Sequence, residues 1–189
     1  MVQTTGTTID DFYIPPFTVD KGDILVVQLP SGPYFYGLHV RLVELLTGKT
    51  KNETVDLKDK FRFVEETKES RWKSFVYPMT VERYIKKYCR PDSDLPRRIY
   101  EFEGIKPTTR IVRMPGNHRK LLSLLTTFSW TNKIVFDLVG IDPTGGQQTF
   151  DLVKSQINNS GAAILIDSCD EFKKDCSKFV KFELVTSRN

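Results

Sequence analysis

The residues able to do chemistry in this chain lie in a few short stretches. Asp137 closes the apolar run Lys133-Ile-Val-Phe-Asp137, where an acid either helps to hold a cation or caps the following turn. Leu29-Pro-Ser-Gly-Pro-Tyr-Phe-Tyr36 is a Pro/Gly turn between an apolar run and a helical pattern. A helix opened by such a turn offers backbone N–H groups and a positive dipole end. Cys89, Cys169 and Cys176 are odd in number and lack CxxC spacing, so neither a disulfide framework nor a zinc site is expected. Cys169 and Cys176 read as free thiols, and two histidines, His39 and His118, are too few for a His-rich metal site. Trp72-Lys73, Arg83-Tyr84, Lys86-Lys-Tyr88 and Arg98-Ile-Tyr100 interleave rings with cations. That pattern can follow a nucleic-acid backbone and stack on bases, and it equally describes helices with a solvated basic face.

These groups need elements to position them. Asp23-Ile-Leu-Val-Val-Gln-Leu29 has the continuous apolar character of a strand buried on both faces. Leu38, Val40, Leu42, Val43, Leu45 and Leu46 recur at near-helical spacing, and Gly48 stands where a C-cap would. Asp59-Lys-Phe-Arg-Phe-Val64 alternates like an edge strand. Residues 78–90 predict an amphipathic helix with Thr80 as N-cap and Glu82–Lys86 as an i,i+4 pair. A short helix is expected over 96–103, and helices over 118–129 and 147–158. Buried strands are expected at 132–137 and 162–166, then a short helix at 171–177 and a terminal strand at 179–185. Strands alternating with helices predict an α/β fold with a largely parallel core.

The 189 residues suffice for one domain with a real core, burying roughly 70% of the surface of the unfolded chain. At 39% hydrophobic and 28% charged, the composition argues against disorder or a fibrous repeat. No apolar run approaches the ~20 residues of a membrane-spanning helix. The polar start Met1-Val-Gln-Thr-Thr-Gly6 lacks a signal-peptide pattern, and a reducing, cytoplasmic setting is the expectation. The net charge of +4 is unevenly spread: residues 71–120 carry 13 basic and 5 acidic groups, while the flanking segments are mildly acidic.

Taken in order, these pieces resemble the nucleotide-binding domain of the ATP-binding cassette (ABC) family over nearly the whole chain. Phe17-Thr-Val-Asp-Lys-Gly-Asp-Ile-Leu25 is similar to the strand that introduces the phosphate loop. Leu29 to Tyr36 occupies the Walker A position, and Leu45-Leu-Thr-Gly48 resembles the end of the helix after it. Met79-Thr-Val-Glu-Arg-Tyr-Ile85 is similar to the segment after the glutamine loop. Met114, Pro115, Gly116, Asn117 and His118 stand in the signature loop, Lys133–Asp137 resembles Walker B, and Gly140-Ile-Asp-Pro143 the D-loop. Ile164–Asp170 resembles the strand before the switch histidine, whose own position is Cys169. The resemblance implies a P-loop NTPase-like α/β domain over residues 1–189. It implies a mostly parallel sheet flanked by helices, a short antiparallel β edge, and residues 71–120 as a reduced helical subdomain.

The resemblance also exposes losses. In GxxxxGK[ST], backbone N–H groups wrap the phosphates, the lysine meets the outer phosphates and the hydroxyl binds magnesium. Here Leu29 replaces the first glycine, Tyr34 the second, Phe35 the lysine and Tyr36 the hydroxyl, with only Ser31 and Gly32 of ordinary loop type between. Pro33 removes one donor. Asp137 stays as the Walker B acid, but Leu138 stands where the catalytic base belongs. No glutamine occurs between Arg71 and Tyr88, and the linker to Gly140 and Asp142 is two residues short. Tyr34, Phe35 and Tyr36 either plug the old nucleotide pocket or form a docking surface.

The expectation is therefore a pseudo-ATPase without catalytic residues, metal or cofactor, ATP-magnesium not being bound in the family's usual way. It would be a structural or regulatory subunit acting through a membrane-spanning subunit or a second cassette subunit. The resemblance places the partner surface in the middle segment, at Lys73, Arg83, Lys86, Lys87 and Arg90. Its surplus charge suits an acidic partner or an anionic membrane face. A homodimer and peripheral membrane association are compatible with this. The alternatives are a divergent ATP-binding subunit of a heteromeric ABC ATPase, borrowing its partner's Walker A loop across Gly116, and a nucleic-acid-binding module using residues 71–120.

Overall fold

In a computed structural model that describes residues 1–67, 78–158 and 160–185, continuous apolar runs become central strands and three-residue alternating runs become edges. The chain divides into two compact units. The first comprises Met1–Phe63, Asn132–Val139 and the C-terminal stretch from Ile157, and the second Val64–Thr131 and Gly140–Gln156.

The first unit opens with β1 (Val2–Thr4), β2 (Thr7–Ile9), β3 (Phe12–Ile14) and β4 (Phe17–Val19). Then come β5 (Ile24–Gln28), α1 (Phe35–Leu46), β6 (Val55–Leu57) and β7 (Arg62–Phe63). In the second unit lie α2 (Val81–Tyr88), two 3-10 turns at Leu95–Glu101 and Ile111–Arg113, and α3 (Gly116–Phe128). The chain returns to the first unit for β8 (Lys133–Asp137). It gives the second α4 (Pro143–Ile157), all but its last residue, and ends in the first with β9 (Ala162–Asp167), β10 (Lys178–Lys181) and β11 (Glu183–Leu184).

A five-stranded, wholly parallel sheet in the order β10-β5-β9-β8-β7 forms the centre of the first unit. Ile24 to Val27, Ile134 to Asp137 and Ala162 to Ile166 are buried without alternation, as a sheet covered on both faces requires. Leu38, Leu42, Val43, Leu45 and Leu46 of α1 pack into the same core. Register places Gln28 beside Asp167 and Asp137 beside Ile166, so three polar side chains crowd the C-terminal ends of neighbouring strands. That end is where open parallel sheets carry their sites.

Two three-stranded antiparallel sheets, β4-β1-β6 and β11-β3-β2, supply the β edge. β1 to β4 and β6 escape sequence reading because each is three residues long, below the four-residue window in which alternation can be recognised. The fold class is thus α/β, with a parallel central sheet flanked by helices and an antiparallel β edge, as expected.

The second unit has its own core, built from Val81, Ile85, Cys89, Ile99, Ile111, Met114 and Leu121, Leu122 and Leu125 of α3. Thr80 caps α2 by accepting from Arg83 N–H at 3.4 Å, and Glu82 pairs with Lys86 at 3.1 Å. Two helices begin earlier than sequence spacing predicts: α3 at Gly116, and α4 at Pro143, whose fixed φ suits a first helical position. The expected helix at 171–177 is a 3-10 turn, Glu171–Lys174, and the terminal strand is split into β10 and β11. Trp72 and Lys73 lie outside the described residues.

Candidate functional site

β5 runs through a short loop into α1, the strand–loop–helix on which a phosphate site would be built. Leu29 is buried, and its N–H donates to Asp167 O at 2.7 Å, extending the ladder by one residue. Ser31 and Gly32 are exposed. Gly32 takes φ +86 with open space beside its Cα, so the turn uses glycine's left-handed freedom. Phe35 N–H turns back to Gly32 O at 3.2 Å, closing the turn that starts α1. Tyr34 and Tyr36 stand in solvent, 58% and 77% exposed, while Phe35 is half-buried against the core.

The contact that sequence reasoning missed lies behind this loop. His39 Nε2, one turn into α1, is 3.1 Å from Asp137 Oδ2 at the end of β8, with the two side chains 12% and 11% exposed. The imidazole is flanked by Phe35, ring centroids 5.7 Å apart, and meets Phe63 edge-on at 5.6 Å. Asp137 Oδ1 also accepts Val139 N–H at 3.2 Å, so the strand-end acid caps its own turn while holding His39.

Asp167 ends the neighbouring strand. Its Oδ1 accepts the N–H of Ser168 at 2.6 Å and of Cys169 at 3.3 Å. Burial nevertheless pushes this carboxyl above its ordinary range, with the charges of Glu171 and Asp137 adding to the rise. Gln28 Nε2 donates to Ser168 O at 3.3 Å, pinning the same corner. Cys169, expected at the switch-histidine position, is exposed, and its thiol lies 3.9 Å from Ser168 Oγ. Among the described residues no three His, Cys, Asp or Glu side chains are placed to hold one metal ion together.

In the second unit, the residues expected at a signature loop and those expected at a D-loop meet. Pro115 precedes α3, and Met114 is buried in the core. A Cβ on Gly116 would lie 3.2 Å from Gly140 O, so glycine permits the close approach of the two loops. Asn117 Nδ2 donates to Asp142 Oδ2 at 2.6 Å, and Asp142 Oδ1 caps α4 by accepting Gly145 N–H at 2.8 Å. Those two donors hold the Asp142 carboxyl below its usual range. His118 packs its ring 5.6 Å from Phe102.

Of the cations expected to face a partner, Lys86 is paired with Glu82, and Arg90 Nε with Asp92 at 2.8 Å. Lys87 lies 4.9 Å over the Tyr88 ring, and Arg83 is exposed near the start of α2. No helix among the described residues is long and apolar enough to cross a membrane.

No family model matches the chain, and neither does any curated protein. Solved structures do match. An ATP-binding subunit of an ABC transporter superposes with a TM-score of 0.66 at 11% identity, covering 98% of this chain and 87% of that one. An ABC-transporter ATP-binding cassette in its ADP conformation gives 0.68 at 15%, covering 97% and 87%. CbiO1 from Clostridium perfringens, part of an ABC transporter complex, gives 0.64 at 11%, covering 97% and 85%. At these identities the likeness is one of fold, and the chain has the fold of an ABC-transporter ATP-binding cassette.

Proposed function

We propose that this chain is a cassette-like subunit that does not hydrolyse ATP and acts through protein contacts, as a structural or regulatory component of a larger assembly. The observation that carries the reading is the His39–Asp137 pair. Asp137 stands at the end of the parallel strand where a cassette would place an acid for magnesium, and here an imidazole is bound to it.

The donor set around the loop supports the same reading. A phosphate cradle needs N–H groups and a cation pointing inward. Leu29 N–H is spent on Asp167 O, Phe35 N–H on Gly32 O, and Pro30 and Pro33 have none. No Lys or Arg occurs from Leu29 to Val40, so the α1 dipole is the main positive feature left. These residues do not fit an ordinary magnesium-ATP complex.

The likeness to transporter cassettes, one of them part of an ABC transporter complex, supports a membrane-spanning subunit or a second cassette subunit as partner, at the cytoplasmic face of a membrane. Titration calorimetry and thermal unfolding with magnesium-ATP test this. No heat of binding and no shift in melting temperature are expected, whereas a ligand at 100 times its Kd would stabilise by about 2.7 kcal/mol. A micromolar Kd would overturn the proposal.

A further inference from the structure

The positive charge of the middle segment is not evenly available. On and around α2 much of it is neutralised locally: Lys86 by Glu82, Arg90 by Asp92, Arg97 by Asp94 at 3.3 Å and Arg98 by Glu101 at 3.7 Å. Farther along, the sequence contains no Asp or Glu from Gly104 to Phe136. Lys106, Arg110 and Arg113 are exposed there, and no ion pair joins any of them to a described residue.

Arg110 and Arg113 are held by a rigid turn. Arg113 N–H donates to Arg110 O at 3.0 Å, which brings their Cα atoms within about 7 Å of each other. Between them Ile111 is 2% exposed and donates its N–H to Met79 O at 2.9 Å, and Met114 just beyond is 4% exposed. Arg110 also bridges to Thr80 at the start of α2. Ile111 and Met114 therefore anchor the turn in the core while Val112, 53% exposed, is displayed between the two arginines. Two exposed arginines carried on one anchored stretch of backbone, with an apolar side chain between them in sequence, suit carboxylates spaced along a peptide, and the ordered backbone lowers the cost of binding.

We propose that the turn Arg110–Arg113 docks an acidic segment of a protein partner, its carboxylates on the two guanidiniums and an apolar side chain on Val112. The proposal rests on the reading of this chain as a subunit that works through protein contacts, and it moves the contact from α2 to the turn before α3. No Phe, Tyr or Trp lies between Lys106 and Arg119 for a nucleic-acid base to stack on. One valine is too small an apolar anchor for a membrane surface.

Fluorescence anisotropy with a labelled peptide of alternating Glu and Leu tests the docking. Saturable binding is expected, weakening at least tenfold in the double variant Arg110→Gln, Arg113→Gln and less than twofold in Lys86→Gln, Lys87→Gln. Arg110→Lys with Arg113→Lys should keep part of the affinity, because charge survives while the planar fork is lost. Both arginines are exposed, and unchanged thermal unfolding of the variants confirms that folding is not the cause. No binding, equal binding by the glutamine variant, or tighter binding of oligo-dT or phosphatidylglycerol vesicles than of the peptide overturns the proposal. Magnesium-ATP calorimetry reads nucleotide binding separately, so a failure of the docking and a failure of the proposed function are told apart.

Discussion

His39 Nε2 and Asp137 Oδ2 meet at 3.1 Å across 98 residues of sequence, joining the second turn of α1 to the C-terminal end of β8. The pair fastens helix to sheet at the point where a nucleotide-binding loop would need both to be free for other partners. Removing the imidazole by His39→Ala withdraws one hydrogen bond from a nearly buried carboxylate and empties the space between Phe35 and Phe63. A loss of about 1–3 kcal/mol in urea unfolding is expected. Asp137→Asn should cost a similar amount. The double variant should lose less than the two single losses combined, with a coupling of about 0.5–3 kcal/mol. Strict additivity would show that the contact contributes nothing beyond its two side chains.

The same pair predicts the outcome of an attempted repair. Phe35→Lys with Tyr36→Ser restores the two side chains that a phosphate loop uses, yet leaves Pro33, the occupied Leu29 N–H and the His39–Asp137 bond unchanged. Calorimetry should detect no binding of magnesium-ATP at millimolar concentration. The variant should also lose roughly 1–2 kcal/mol of stability, because Phe35 packs half-buried against the core. Micromolar affinity in this variant would mean that the loop backbone is already competent and only side chains are missing.

How far the sequence revealed this arrangement follows from element length and from sequence distance. β5, β8 and β9 are legible because burial on both faces leaves unbroken apolar runs, Ile24–Val27, Ile134–Phe136 and Ala162–Ile166. The strands before Ile24 are not, since three residues cannot establish a period. Asp137 stands out in sequence, but its partner does not, and nothing local links two positions so far apart. One signal was available: His39 lies four residues from both Phe35 and Val43, on the inward row of α1, where an imidazole needs a polar contact. The Asn117–Asp142 bond offered no such hint, because both residues are of types common at helix starts.

Asp167 gives a pH dependence whose sign is fixed by burial. Its carboxyl is held above the ordinary range, so the native state binds the proton more tightly than the unfolded chain does. Its contribution therefore favours folding below the unfolded-state value near 3.8 and is lost as pH rises through the higher native value. Asp167→Asn keeps an oxygen for Ser168 and Cys169 N–H while removing the buried charge. Its urea midpoint relative to the unmodified chain should be higher at pH 7 than at pH 4. An advantage that grows on acidification would contradict the assignment.

Gly145→Ala sets helix propensity against one side-chain bond. A Cβ at Gly145 would fall 2.3 Å from Asn117 Cγ and 2.6 Å from Asn117 Nδ2, so the amide must swing away. That swing breaks its 2.6 Å bond to Asp142 and costs about 0.5–1.5 kcal/mol. Replacing glycine within α4 returns about 0.8–1 kcal/mol. In the unmodified chain the two effects nearly cancel, and the unfolding midpoint should barely move. With Asn117→Ala already in place there is no amide to displace, and the same Gly145→Ala change should stabilise by about 1 kcal/mol. Equal effects in the two backgrounds would show that Asn117 does not hold Asp142 against the start of α3.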